Sequence, residues 1–296
     1  MPTIDSELGL IKQPAPAAPE IVVTGLTKSF NSRPVLRGLN VTINRAEIVA
    51  IVGHSGCGKT VFLDHMTGLM QPDHGSIRVA DHSRPDRAMI ELVGLDHDHL
   101  DQIRLHWAIV FQHNALFTGT VYENCALWLR EHTTLLERKI KQRVREALSA
   151  VRLDPDEVMT KPREALSGGM AKRVAIARAI APDPGVIFYD EPTTGLDPVV
   201  SGHIHELIFN THNRPRAVGA VGAVGAVGAV GDATARTTVM ITHDRELLRR
   251  ISPRVIMLDG GIIVFDGPYE RFLYADVPAA RLYLEHMPVL HDRPPD

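Results

Sequence analysis

The chain reads as an α/β fold: a sheet with parallel strands, interrupted by a helical insert. Three observations predict it. Short apolar β-type runs alternate with helix-forming stretches along most of the chain. A glycine-rich loop sits between one such run and a helix. Between about 112 and 166 the composition turns helical, and the strand runs then return.

In order, residues 1–20 are acidic and Pro/Ala-rich, with no charged-then-apolar targeting pattern, and read as a disordered leader. Ile21-Val22-Val23 and Val41-Thr42-Ile43 read as strands about a turn at Asn31-Ser32-Arg33-Pro34. Ile48–Val52 is an apolar strand running into the glycine loop, and Thr60–Met70 reads as the helix beyond it. Gly75–Val79 and Ala108–Phe111 are further strands. Ile140, Val144, Ala147, Leu148 and Val151 recur at helical spacing among Lys, Arg and Glu. Val186–Tyr189, Thr238–Ile241 and Arg254–Leu258 restore the strand signal. Ala217–Gly231 is five tandem Ala-Val-Gly copies, too glycine-rich for a stable helix, and reads as a surface loop expansion.

Composition narrows the class. The 296 residues can bury a sizeable core, and 44% hydrophobic with 23% charged residues is ordinary for a globular protein. A formal net charge of −3 supplies no general pull toward nucleic acid or anionic lipid. Two cysteines, Cys57 and Cys125, form no disulfide framework and suit a reducing compartment. No stretch reaches the roughly 18 to 20 apolar residues of a membrane-spanning helix, so work at a membrane is expected to go through an embedded partner.

The chemistry begins at Gly53-His54-Ser55-Gly56-Cys57-Gly58-Lys59-Thr60, a P-loop pattern between a strand and a helix. Its backbone N–H groups wrap phosphates, Lys59 reaches the terminal phosphates and the Thr60 hydroxyl ligates Mg²⁺. Cys57 reads as a small residue filling a tight loop, although a helix start and a lysine beside it also suit a thiol of lowered pKa. The strand Val186–Tyr189 ends in Asp190-Glu191: the first carboxylate is placed for the metal, the second to polarise a water against the γ-phosphate. Gln112 follows one strand and His243 ends another, where the metal, the water or the γ-phosphate needs a sensor. No CxxC or HExxH spacing supports a zinc site among the fifteen histidines. A second anion site opens the helix after Leu166-Ser167-Gly168-Gly169-Met170, where a serine and two glycines leave backbone N–H groups facing outward.

Together these residues resemble the nucleotide-binding subunit of ABC transporters, from about Ile21 to Glu270. Gly53–Thr60 resembles the Walker A loop, Gln112 the Q-loop and Leu166–Met170 the signature. Asp190 resembles the Walker B aspartate, Glu191 the catalytic base, Gly195-Leu196-Asp197 the D-loop and His243 the switch histidine. Phe30 stands where the family places an aromatic ring against adenine. The resemblance implies a RecA-like P-loop NTPase core with a mixed sheet, an antiparallel β subdomain and a helical subdomain at about 113–181. It bounds the ATPase domain at 21–271 and leaves 272–296 as a C-terminal tail. It further implies ATP with Mg²⁺ ligated by Thr60, Gln112 and Asp190, and a head-to-tail dimer with a second ATPase subunit. In that dimer Ser167, Gly168, Gly169 and Asp197 of one subunit serve the nucleotide of the other, which explains two phosphate sites in one chain. A membrane permease is the implied partner, at the cytoplasmic face of the inner membrane. Met170, the run Phe111-Gln112 to Ala115-Leu116-Phe117, and Leu129-Arg130-Glu131-His132 resemble the Mla/MCE-type phospholipid-transport ATPases, with an MCE-domain lipid-binding protein as a further partner. An ATPase for another small molecule, such as an amino-acid-type importer, is the alternative, and a soluble non-transport ABC ATPase a more distant one. In the tail, Leu282, Leu284 and Met287 are placed to pack either on a partner subunit or on the chain's own domain.

Overall fold

The structure, a computed structural model, describes residues 18–216 and 236–286. The Ala-Val-Gly tract, most of the expected leader and Met287 lie outside the described residues. Ten strands and ten helices follow in chain order: β1 (Pro19–Phe30), β2 (Arg33–Asn44), β3 (Ile48–Val52), α1 (Lys59–Met66), β4 (His74–Ala80), β5 (Met89–Glu91), α2 (His97–Arg104), β6 (Trp107–Val110), α3 (Val121–His132), α4 (Glu137–Ala150), α5 (Pro155–Val158), α6 (Gly168–Ile180), β7 (Val186–Asp190), α7 (Pro198–Asn213), β8 (Thr237–Ile241), α8 (Arg245–Ile251), β9 (Arg254–Asp259), β10 (Ile262–Pro268), α9 (Tyr269–Phe272) and α10 (Pro278–His286). A short 3₁₀ turn, Arg163–Ala165, precedes α6.

The central sheet has the order β10-β9-β3-β8-β7-β6. Its strands run parallel except for β10, which pairs antiparallel with β9. Alternate residues of these strands enter two cores. Val49 and Ile51 of β3 join Phe188, Val239, Ile256 and Leu258 with α1 and the smaller sheet. Ala50 and Val52 join Ile187, Tyr189, Met240 and Met257 with the helical insert. Burial on both faces is why β3, β7 and β8 read as unbroken runs of apolar or small residues. The smaller sheet, β2-β1-β4-β5, is antiparallel throughout. Helices α3 to α6 occupy the insert, where Ile140, Val144 and Leu148 of α4 are buried in the first of these cores.

Four boundaries differ from expectation. β1 begins at Pro19, inside the stretch read as leader, because Glu20 is needed within the fold: it is 2% exposed and accepts a hydrogen bond from His82 Nε2 at 2.5 Å. α1 stops at Met66 rather than Met70, since Gly68 (φ +69°) turns the chain out of the helix and its N–H bonds His65 O. β6 ends at Val110, leaving Phe111 exposed. The tail boundary at 272 does not separate a unit: Ala280 and Tyr283 of α10 are buried in the core of the ATPase domain. Within the described part of the tail, Leu284 packs on that core and Leu282 is half exposed.

Candidate nucleotide site

The loop between β3 and α1 needs glycine for steric reasons at its two ends. A Cβ on Gly53 would lie 2.2 Å from Leu258 O, and Gly53 has φ +145°. Gly58 (φ +102°) caps α1 with no side-chain hydrogen bond, so the first N–H groups of the helix remain directed at the loop. That is the arrangement an anion requires. Lys59 Nζ folds back over the loop, donating to Gly53 O at 2.8 Å and His54 O at 2.9 Å. Cys57 packs into the core beneath, and burial pushes its thiol up, so it has no thiolate character at neutral pH.

One cavity of about 690 Å³ is lined by Gly53, His54, Ser55, Gly56, Gly58, Lys59, Thr60, Phe30, Gln112, Asp190, Glu191 and His243. Residues spread over more than 200 positions thus meet at the ends of β3, β6, β7 and β8. The parallel sheet causes this, since it puts the loops following these strands at one edge. Phe30 lines it with a ring 42% exposed and the Lys28 ammonium 5.6 Å from its centroid.

Asp190 ends buried β7. Its Oδ1 is buried without a hydrogen-bond partner, and burial together with neighbouring Glu191 pushes its carboxyl up. A hard cation would satisfy that oxygen, and Thr60 and Gln112 line the same cavity with oxygen donors. The residues present therefore fit Mg²⁺. Glu191 follows at φ +50°, a left-handed conformation that is uncommon outside glycine. Its N–H is held by Ile241 O at 3.0 Å. Its Oε2 accepts from His243 Nδ1 at 2.8 Å and from Thr194 Oγ1 at 3.3 Å. The carboxylate in turn raises the proton affinity of His243, which is 57% exposed at its side chain.

Ser167, Gly168, Gly169 and Asp197 lie elsewhere. Ser167 caps α6, its Oγ accepting from Met170 N at 3.2 Å, and is exposed with Gly168. Asp197 is likewise exposed and caps α7, accepting from Val199 N and Val200 N. Neither helix start lines the cavity that holds Lys59.

A family model described as "ABC transporter" matches residues 36–194. The chain belongs to the ABC transporter family. It is an ATPase, and no helix among the described residues is long and apolar enough to cross a membrane. The probable ribonucleotide transport ATP-binding protein mkl of Mycobacterium tuberculosis (strain ATCC 25618 / H37Rv) is 35% identical over 270 residues, 91% of this chain and 67% of that protein. The methionine import ATP-binding protein MetN of Brucella abortus (strain 2308) is 34% identical over 258 residues, 87% of this chain and 62% of that one. Among solved structures, the dimeric post-hydrolysis state of the ATP-binding cassette MJ0796 bound to ADP and Pi has a TM-score of 0.68 at 28% identity, covering 84% of this chain and 98% of that one. These similarities bear out the α/β P-loop ABC fold read from the sequence.

Residues that sequence reasoning passed over line or brace this cavity. Tyr283 of α10 lines the cavity, donates from its hydroxyl to Thr242 O at 3.2 Å and meets the His54 ring edge-on at 6.0 Å. Asp244, after His243, caps α8 and accepts from His205 Nε2 at 2.7 Å and Thr193 Oγ1 at 2.9 Å. Burial works against that carboxylate, but these donors and Leu247 N–H outweigh it and hold it at about 2. Thr193 thereby ties the turn after Glu191 to the start of α8. An Asp at a helix start was the only sequence signal here.

Tyr283 gives a direct test of how α10 is held. Tyr283→Phe is expected to cost about 1 kcal/mol, the worth of one hydrogen bond. Tyr283→Ala removes an aromatic burial worth about 3–5 kcal/mol from a nine-residue helix. It is expected to undock α10, seen as faster tryptic cleavage at exposed Arg281; unchanged cleavage would show that Tyr283 does not hold the helix.

Proposed function

We propose that the chain is the ATP-binding subunit of an ABC transporter, peripheral on the cytoplasmic face of the inner membrane. It hydrolyses ATP in a head-to-tail homodimer to drive transport through a separate permease. One observation carries this reading. Lys59, Thr60, Gln112, Asp190, Glu191 and His243 converge on one cavity, while Ser167 and Gly168, exposed at the start of another helix, stand apart from it. Two anion sites that do not meet in one chain serve two nucleotides when two copies face each other. The MJ0796 cassette is itself dimeric.

In this site the loop amides and Lys59 bind the phosphates of ATP, and Phe30 stacks on the adenine. Thr60, Gln112 and Asp190 would hold Mg²⁺, which when bound neutralises charge on the phosphate oxygens. Glu191 takes the proton of the attacking water, and His243 orients Glu191 and faces the departing phosphate. The bond from Glu191 N–H to Ile241 O, directly after buried β7, holds that residue at the edge of the sheet.

The cargo we infer is phospholipid, delivered together with an MCE-domain protein. Support comes from Met170, from Phe111–Phe117 and from Leu129–His132. A second reading, import of a small polar solute, is favoured by the names of the relatives, a probable ribonucleotide transport and a methionine import ATP-binding protein. Purification from native membranes in mild detergent separates the two. An MCE-domain partner with bound phospholipid is the expected result, whereas a solute-binding protein of the amino-acid or nucleotide type would overturn the lipid reading.

A further inference from the structure

The helix that begins at the signature is tied to the segment after β6 at three places. Asn114 Nδ2 donates to Gly168 O at 3.4 Å. Lys172 Nζ donates to Phe111 O at 3.2 Å and Gln112 O at 3.0 Å. Arg178 Nη1 donates to Ala115 O at 2.9 Å, and its guanidinium lies 5.2 Å from the Phe117 ring centroid. Of these residues Lys172 stands out, because it is 3% exposed.

A buried ammonium is costly unless its hydrogen bonds and its charge are both matched. Carbonyls of the Q-loop take the hydrogen bonds of Lys172, and the negative charges that favour it are those of Asp190 and Glu191. A neutral apolar side chain would fill the same space without that cost. The charge is thus spent on holding one backbone segment, the one from which Gln112 enters the nucleotide cavity.

We propose that Lys172 is a positioning residue of ATP hydrolysis, which fixes the Q-loop backbone at Gln112 and binds it to the helix whose start serves the other nucleotide. The proposal rests on the roles given above to Gln112 and to Ser167–Gly169. Lys172 stands five positions beyond Ser167, about 7–8 Å along a helix, so the tie to the Q-loop lies within two turns of the signature.

The test uses the full chain and phosphate release measured against ATP concentration, for Lys172→Met, Lys172→Arg, Gln112→Ala and the Met/Ala double variant. Lys172→Met is expected to lower kcat about tenfold, with KM for ATP within about twofold, because the residue does not touch the nucleotide. Lys172→Arg, keeping charge and donors, is expected to recover most of the rate. In the double variant, Lys172→Met is expected to add less than about twofold to the loss from Gln112→Ala, as residues acting through one group are non-additive. A wild-type kcat in Lys172→Met, or losses that multiply in the double variant, would overturn the proposal. Wild-type turnover in Gln112→Ala would overturn it too, while tracing the failure to the role of Gln112. Should Lys172→Met not fold, Lys172→Gln, which loses charge and reach, carries the same expectation.

Discussion

Glu191→Gln is expected to lower ATP turnover by about 100- to 10,000-fold, the usual worth of a general base, and to leave ATP bound between two subunits. The replacement is isosteric, so the 8% exposed side chain keeps its place. Its amide oxygen can still accept from His243 Nδ1, now 2.8 Å from Glu191 Oε2. What disappears is basicity, together with one negative charge beside the γ-phosphate position. Loss of hydrolysis blocks the step that would release the dimer, and loss of charge favours the bound triphosphate. Size-exclusion chromatography with ATP is therefore expected to show a dimer for the variant at concentrations where wild type elutes as a monomer. A pH effect accompanies it. Glu191 raises the proton affinity of His243 above the ordinary histidine value. In wild type His243 therefore keeps its proton to higher pH, and in the variant it is expected to titrate nearer 6.5, readable by NMR. Undiminished turnover would remove Glu191 as the base.

The sheet was legible because its chemistry is redundant. Val186–Tyr189 and Thr238–Ile241 are covered on both faces, so each residue had to be apolar or small, and a run of such residues is visible without any alignment. The P-loop was legible for the opposite reason: Gly53 and Gly58 have no alternative where a Cβ would meet Leu258 O and Leu36. Where a role depends on one contact across the fold, no such redundancy exists. Lys172, between Ala171 and Arg173, reads like a solvated helix face, and its partners are backbone carbonyls about sixty residues away. Tyr283 is one aromatic in a short tail, and its edge-on contact with His54 joins residues more than two hundred positions apart. Short α2, with two buried residues in eight, and three-residue β5 were below what periodicity resolves.

Lys59→Ala is expected to weaken ATP binding by about 100-fold or more. The ammonium now donates to Gly53 O and His54 O, at 2.8 and 2.9 Å, and these carbonyls hold it over the loop where phosphate oxygens arrive. Exchanging them for phosphate oxygens converts neutral acceptors into charged ones, each hydrogen bond being worth about 1.5–3 kcal/mol. Two such bonds amount to about 3–6 kcal/mol, and each 1.4 kcal/mol is tenfold in Kd. The helix itself loses little, since alanine is the best helix former at a first-turn position and Gly58 caps α1 without any side-chain bond. Binding and folding are thus separable in this variant. The melting temperature without nucleotide is expected to stay close to wild type, while the rise that ATP gives the wild type by mass action is expected to vanish. Isothermal titration that still found micromolar affinity would show that the loop amides alone hold the phosphates, and would leave Lys59 without a binding role.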